Sequence, residues 1–337
     1  MSEKYLRPES GHAKVLTRRQ VTGGLVAASA LGTFARPAIA QQYPSQDVHF
    51  ICSFPAGSGA DVIVRYMAEK MRPLMGRQIL VENKPGALGN ISTEYLVRSK
   101  PDGHTILIHG ASGVAAAASI IRNSMDVGKL IQLAGTINRQ PTMLAVHVSK
   151  PWKSVAEVTA AIKEKKEKAT YATTNPVGKV MGAIYKKTLN LQALEVNYRT
   201  AADTLNDLAN GAVDYILVDN VFAMSQVREN RLRVLAVSTG QRMQATPDIP
   251  TMTENGVPMD VTGYFAAMVP SGTPQPIVQQ ISKWVGEVVG SAETKKFLNS
   301  FASDPWITTP EQGQAYFLKD IENWKNYIKI ADIQQQG

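Results

Sequence analysis

From residue 47 onward, short apolar runs alternate with amphipathic stretches at helical spacing, and this alternation constrains the fold more than any other feature of the chain. It is the signature of an α/β architecture with mainly parallel sheets. DVHFICSF reads as a first strand. Val62, Ile63, Tyr66, Met67, Met71 and Leu74 then recur on one helical face, with Pro73 helping to end the helix near Gly76. RQILVEN, a Pro85-Gly86 turn, a helix from about Asn90, a Pro101-Asp102-Gly103 turn and the strand HTILIHG complete a first series. A second series opens with the strand MLAVHV and a helix announced by Ser154 and Glu157 at capping-box spacing. It continues through ATYAT, GKVMGAIYKKTLN, LEVNY, the helix ADTLNDLAN ending at Gly211, and DYILVDN. RLRVLAVST and YFAAMVP read as strands, and helices from Pro276 and Pro310 finish the chain. Two βα series of similar length, with no repeat and no low-complexity linker, suit two lobes between which the chain passes more than once. A ligand then belongs in the cleft between them.

The first forty residues stand apart. Thr17-Arg18-Arg19-Gln20 precedes the apolar run VTGGLVAASALGTFA, which ends at Ala38-Ile39-Ala40. That is the pattern of a twin-arginine type signal peptide, with cleavage expected after Ala40 and export to the periplasm. The run is about 15 residues, short of the ~20 that span a bilayer. Of the formal charge of +8, half resides in this leader, which weakens a nucleic-acid reading; no Lys/Arg run is interleaved with aromatics. The run Lys163 to Lys168 reads as a solvated helix end. Cys52, the single cysteine, excludes an intramolecular disulfide and reads as a small core residue.

Enzyme chemistry finds little support. Gly57-x-Gly59 starts a dinucleotide fingerprint, but Val62 stands where the third small residue belongs. Gly178-Lys179 lacks the upstream glycine of a P-loop, since Thr173 occupies it. Histidines 49, 104, 109 and 147 show no metal-ligand spacing, and three of them lie in apolar strands, where a satisfied structural role is expected. Neither Ser58 nor Ser112 lies in a G-x-S-x-G elbow. No catalytic residue, metal or cofactor is therefore assigned. What remains is geometry that attracts anions without reacting, because a helix N-terminus presents unpaired N–H groups and about half a positive charge. Three strand-to-helix junctions carry suitable residues: Ala56 to Gly59, Thr173-Thr174-Asn175, and Thr200-Ala201. Turn geometry and capping alone also account for such residues.

The segment FPAGSGADVIVRYMAEKMRPLMGRQILVENKPGALGNISTEYLVRSKPDGHTILI resembles the start of the substrate-binding proteins of tripartite tricarboxylate transporters, the Bug receptors. LANGAVDYILVDN, RLRVLAVST, TPDIPTMTENGVP and VPSGTP follow in that family's order, so the resemblance covers nearly the whole mature chain. It implies a two-lobed periplasmic binding protein of type II, with residues 43–143 plus 264–337 in one lobe and 144–263 in the other. Such a protein binds a small mono- or dicarboxylate in an interlobe cleft and delivers it to membrane subunits of the transporter; a monomer is expected. Carried over, the turn from Phe54 through Ala56, Gly57, Ser58 and Gly59 to Asp61 holds one carboxylate, Thr173, Thr174 and Asn175 supply donors from the second lobe, and Ser112 is a further ligand-binding candidate. Asp219 matches an acidic position that receives an amino or hydroxyl group or caps the next helix. Members commonly read proline-tyrosine-lysine-glycine where this chain has Asn197-Tyr198-Arg199-Thr200. Thr200 then adds a hydroxyl, and Arg199 is either a bidentate partner for a second carboxylate or a solvated rim residue. Tyr264 and Phe265 are hinge packing or an aromatic wall favouring a ring-bearing diacid. A ligand sensor feeding a signalling kinase, or a periplasmic enzyme on the same fold, is the alternative.

Overall fold

The computed structural model describes residues 43–122, 124–198 and 200–335, so the signal-peptide reading falls outside the described residues. The first series folds as anticipated. β1 (Val48–Cys52), β2 (Ile79–Asn83) and β3 (Thr105–Gly110) are parallel neighbours joined by α1 (Gly59–Met75) and α2 (Asn90–Arg98). Ser58 caps α1 by accepting from the Asp61 N–H, and Gly76 ends it in the left-handed region at φ 64°. Of the expected face, Ile63, Met67 and Met71 are buried, joined by Val64, Ala68 and Met75, whereas Val62 stands 40% exposed. Pro73 lies inside the helix, in its last turn.

After β3 the chain forms α3 (Ala111–Ile120) and β4 (Ile131–Gln140), neither of which was anticipated. Pro141 alone separates β4 from β5 (Thr142–His147), yet the two strands belong to different sheets. The second series then runs α4 (Val155–Lys165), β6 (Thr170–Thr173), α5 (Pro176–Leu189), β7 (Leu194–Asn197), α6 (Leu205–Asn210), β8 (Tyr215–Asp219), α7 (Asn220–Arg228) and β9 (Leu232–Val237). β10 (Gly263–Pro270), α8 (Gln275–Gly290), α9 (Ala292–Asn299), the two-residue β11 (Asp304–Pro305) and α10 (Pro310–Ile330) close the chain.

Among the described residues there are two sheets, six-stranded in the order β11-β4-β10-β3-β1-β2 and five-stranded in the order β7-β6-β8-β5-β9. The expectation of mainly parallel sheets is corrected here. β10 is antiparallel to both β3 and β4, and β5 is antiparallel to both β8 and β9. Both reversed strands are the first that the chain lays down on arriving from the other sheet, so they enter without the crossover helix that keeps neighbours parallel.

One apolar cluster runs from Leu107 and Leu133 of the six-stranded sheet, through Phe317 and Trp324 of α10, to Leu144, Tyr171 and Tyr215 of the other. α10 packs on α3 and β4 and reaches α5, so the last helix bridges both sheets. Cys52 is wholly buried, as a core residue should be. Among the described residues no helix is long and apolar enough to cross a membrane.

Candidate functional site

The parallel strands of the first sheet end at three loops, and α/β sheets gather ligands beyond such carboxyl ends. The first loop is the glycine turn. Its Asp61 is buried and occupied: the carboxylate accepts from the Gly57 N–H at 2.8 Å, from Arg65 Nε at 2.8 Å and from Asn83 Nδ2 at 2.7 Å. Burial alone would raise its pKa, but these donors outweigh it and hold the carboxyl below the usual range. Asp61 therefore ties the turn to β2, and the Gly57 amide is spent on that tie. The backbone amides that open α1, at Gly59 and Ala60, have no acceptor within the helix and carry its positive end. Ala56 and Gly57 are exposed, with Gly57 at φ 81°, and Phe54 is half-buried beside them.

Gly59 also meets the second sheet. A Cβ built on it would lie 2.4 Å from Val221 Cγ1 and 2.9 Å from Val221 Cβ, so only glycine allows this approach. Val221 belongs to the first turn of α7, whose cap is Asp219; the Asp219 carboxylate accepts from the Phe222 N–H at 2.9 Å. Burial raises the Asp219 pKa, against the lowering effect of the Phe222 and Val221 amides. The first turns of two helices, one from each half of the fold, thus meet at the Gly59–Val221 contact.

Ser112, in the first turn of α3, is buried and lines a cavity of about 120 Å³ together with Val177 of α5, Asp260, Gly263 and Asp320. That brings a second pair of helix starts together, because Asn175 caps α5 by accepting from the Gly178 N–H at 2.9 Å. Thr173 is turned the other way: its hydroxyl donates to Glu195 Oε1 at 3.0 Å and to Asn197 Oδ1 at 3.2 Å, within its own sheet. Thr174, half-buried, precedes the Asn175 cap. Thr200 exchanges hydrogen bonds with Asp203, its N–H donating at 3.2 Å, and so caps its own turn. Arg199 lies outside the described residues.

The structure adds what the sequence concealed. His109, near the end of β3, is 3% exposed, and neither ring nitrogen has a hydrogen-bond partner. It lies beneath the segments that follow β1, β2 and β3: Phe54 packs on it edge-to-face at 5.1 Å, a Cβ on Gly89 would reach within 2.5 Å of Nε2, and one on Gly113, in the first turn of α3, within 3.7 Å. Burial pushes its pKa down to about 4, so the ring is neutral. The expectation of a satisfied structural histidine holds for His49, bonded to Glu82, and for His147, bonded to Ser149, but fails at His109, because the turn above it presents no partner to its nitrogens. Tyr264 and Phe265 are both buried and meet different neighbours. Tyr264 is wholly buried against Trp306 and Tyr316, whereas Phe265 reaches Phe54 at 6.4 Å.

Residues 63–333 match the sequence model of the tripartite tricarboxylate transporter family receptors. The chain belongs to that family. Protein BugT of Bordetella pertussis is 25% identical over 320 residues, covering 93% of this chain and 97% of its own. Two solved structures superpose closely. The periplasmic binding protein BugD has a TM-score of 0.76 at 26% identity, over 87% of this chain and 100% of its own. An R. palustris protein solved with adipate has a TM-score of 0.79 at 25% identity, with the same two coverages. The receptor architecture, with mixed α/β sheets, is therefore that of the periplasmic binding proteins, and the resemblance read from the sequence is correct.

Proposed function

We propose that this receptor captures a small mono- or dicarboxylate between its two sheets and delivers it to the membrane subunits of a tripartite transporter, without catalysing a reaction on it. The observation that carries this reading is the approach of Gly59 to Val221, which brings the N-terminal turns of α1 and α7 together. Each end supplies amides whose acceptors must come from outside the helix, and a carboxylate is the ligand that such ends stabilise. The adipate held by an R. palustris relative supports the same chemistry. The exported, periplasmic location and the twin-arginine leader form part of this proposal, as does a division into two lobes near residues 141 and 263, where the chain passes from β4 to β5 and enters β10.

Within it, Gly59, Ser58, Ala56 and Phe54 form the first-lobe wall. Ser112 and the Asn175 turn form the second pair of walls, and Asp61 and Thr173 act as supports for their own loops. Ligand touching both lobes favours the closed arrangement, which is the form that transporter subunits would read. Carboxylic acids should raise the melting temperature while their methyl esters and amides leave it unchanged, as read by differential scanning fluorimetry. Equal shifts from the esters would reject anion capture.

A further inference from the structure

We infer that His109 is a ligand-contacting, specificity-determining residue, its neutral imidazole donating an N–H to a carboxylate oxygen of the guest at the floor of the first lobe. The inference rests on the carboxylate-receptor reading above and names a contact within that site.

Buried polar side chains nearly always find partners, and one that lacks them at both ends needs an explanation. The ring touches all three segments that follow β1, β2 and β3, at Phe54, Gly89 and Gly113. No other imidazole among the described residues is so placed: His49 and His147 pair with neighbouring side chains, and His104 accepts from the Ser45 N–H and faces Asp102. The chain is brought close over it at real cost. Gly86, Ala87, Leu88 and Gly89 all have positive φ, at 126°, 45°, 54° and 88°, two of them in residues that rarely adopt it. That curl carries Gly89 directly over Nε2, where any side chain would collide with the ring. Burial keeps the imidazole uncharged, so one nitrogen is a donor and the other an acceptor. A neutral donor suits a receptor that must release its cargo, since it adds direction without a second full charge. Phe54, half-buried beside the ring, supplies an apolar face against which the carbon part of the guest lies.

The test uses opposite signs. His109→Leu removes two unpartnered polar atoms at nearly constant volume, so the ligand-free variant should melt at or above the temperature of the parent. The same variant should lose about tenfold or more in affinity, and His109→Gln, which keeps a donor, should stay within about threefold. Succinate, adipate, benzoate and phthalate are screened on the parent by thermal shift, and the strongest is titrated calorimetrically into all three proteins. Unchanged affinity in His109→Leu overturns the inference while leaving the receptor reading intact. A lowered melting temperature with unchanged affinity overturns it too, and assigns the ring to a buried water. Failure of every acid to shift the parent overturns the receptor reading and this inference with it.

Discussion

At the scale of single residues, Gly59 and Asp61 show how one turn separates two tasks that a sequence presents as one. Asp61 is consumed in holding the loop: it collects Gly57, Arg65 and Asn83, and its pairing with Arg65 places only the arginine toward solvent. Gly59 is free of that network and instead measures the distance between the sheets. An alanine there should favour α1 by roughly 0.5–1 kcal/mol through helix propensity. It would also drive a methyl into Val221, whose branched side chain has one preferred rotamer in a helix and cannot swing aside. The expected outcome for Gly59→Ala is an intact fold with a loss of carboxylate affinity of about tenfold, corresponding to ~1.4 kcal/mol. Trimming the neighbour in Gly59→Ala/Val221→Ala should restore most of it, and calorimetric titration of the four proteins in the cycle measures the coupling. Additive losses would remove Gly59 from the closing contact.

At the scale of elements, α10 carries a titratable group into the junction of the two sheets. Asp320 is 8% exposed and burial pushes its pKa from 3.8 up to about 7, an effect that the adjacent Tyr264 hydroxyl only partly offsets. A carboxyl whose folded pKa is raised stabilises the fold fully below its unfolded pKa and loses that contribution as pH rises through the folded one. The window is therefore pH 3.8 to about 7. Asp320→Asn should match the parent near pH 4 and exceed it at pH 8, by on the order of 2–4 kcal/mol. Urea melts at several pH values would show this, and a pH-independent difference would argue against a buried carboxyl at this place. How far such elements could be read in advance depended on period. β1, β2, β3 and the helices α1, α8 and α10 carry strong alternation or a clear apolar stripe, and each was legible. β4 was not, because Gly135, Thr136 and Asn138 interrupt its apolar run, and their burial is explained only by partners far along the chain. Thr136 donates to the Trp306 carbonyl, and Asn138 accepts from the Phe265 N–H. α3 is apolar all round and so shows no face. The same limit applied at the site: the glycine turn announced itself, while His109 looked like any strand residue until its missing partners were visible.

At the scale of the whole molecule, the two sheets are held by more than α10. The Asp304 carboxylate accepts from the amides of Gln244 and Ala245, both at 2.8 Å, and Asn220 Nδ2 donates to the Phe301 carbonyl and to Ser303 Oγ. These contacts lie on segments that flank the proposed cleft, so closure and ligand capture are one event in this reading. The acid that most raises the melting temperature should also reduce the radius of gyration in small-angle X-ray scattering. Binding without compaction would separate capture from closure.

The position of β10 carries a lesson about how the molecule comes into being. In the six-stranded sheet β10 lies between β3 and β4, and those two strands have no pairing with each other. A nascent chain that has already made β1 to β4 still holds a sheet in two unjoined parts until residues 263–270 leave the ribosome. The middle of the chain, residues 142–237, holds every strand of the five-stranded sheet, whereas the early half leaves its own sheet divided. Completion of this sheet must wait for the C-terminal quarter, and the facing edges of β3 and β4 stay unpaired while the whole second sheet is being made.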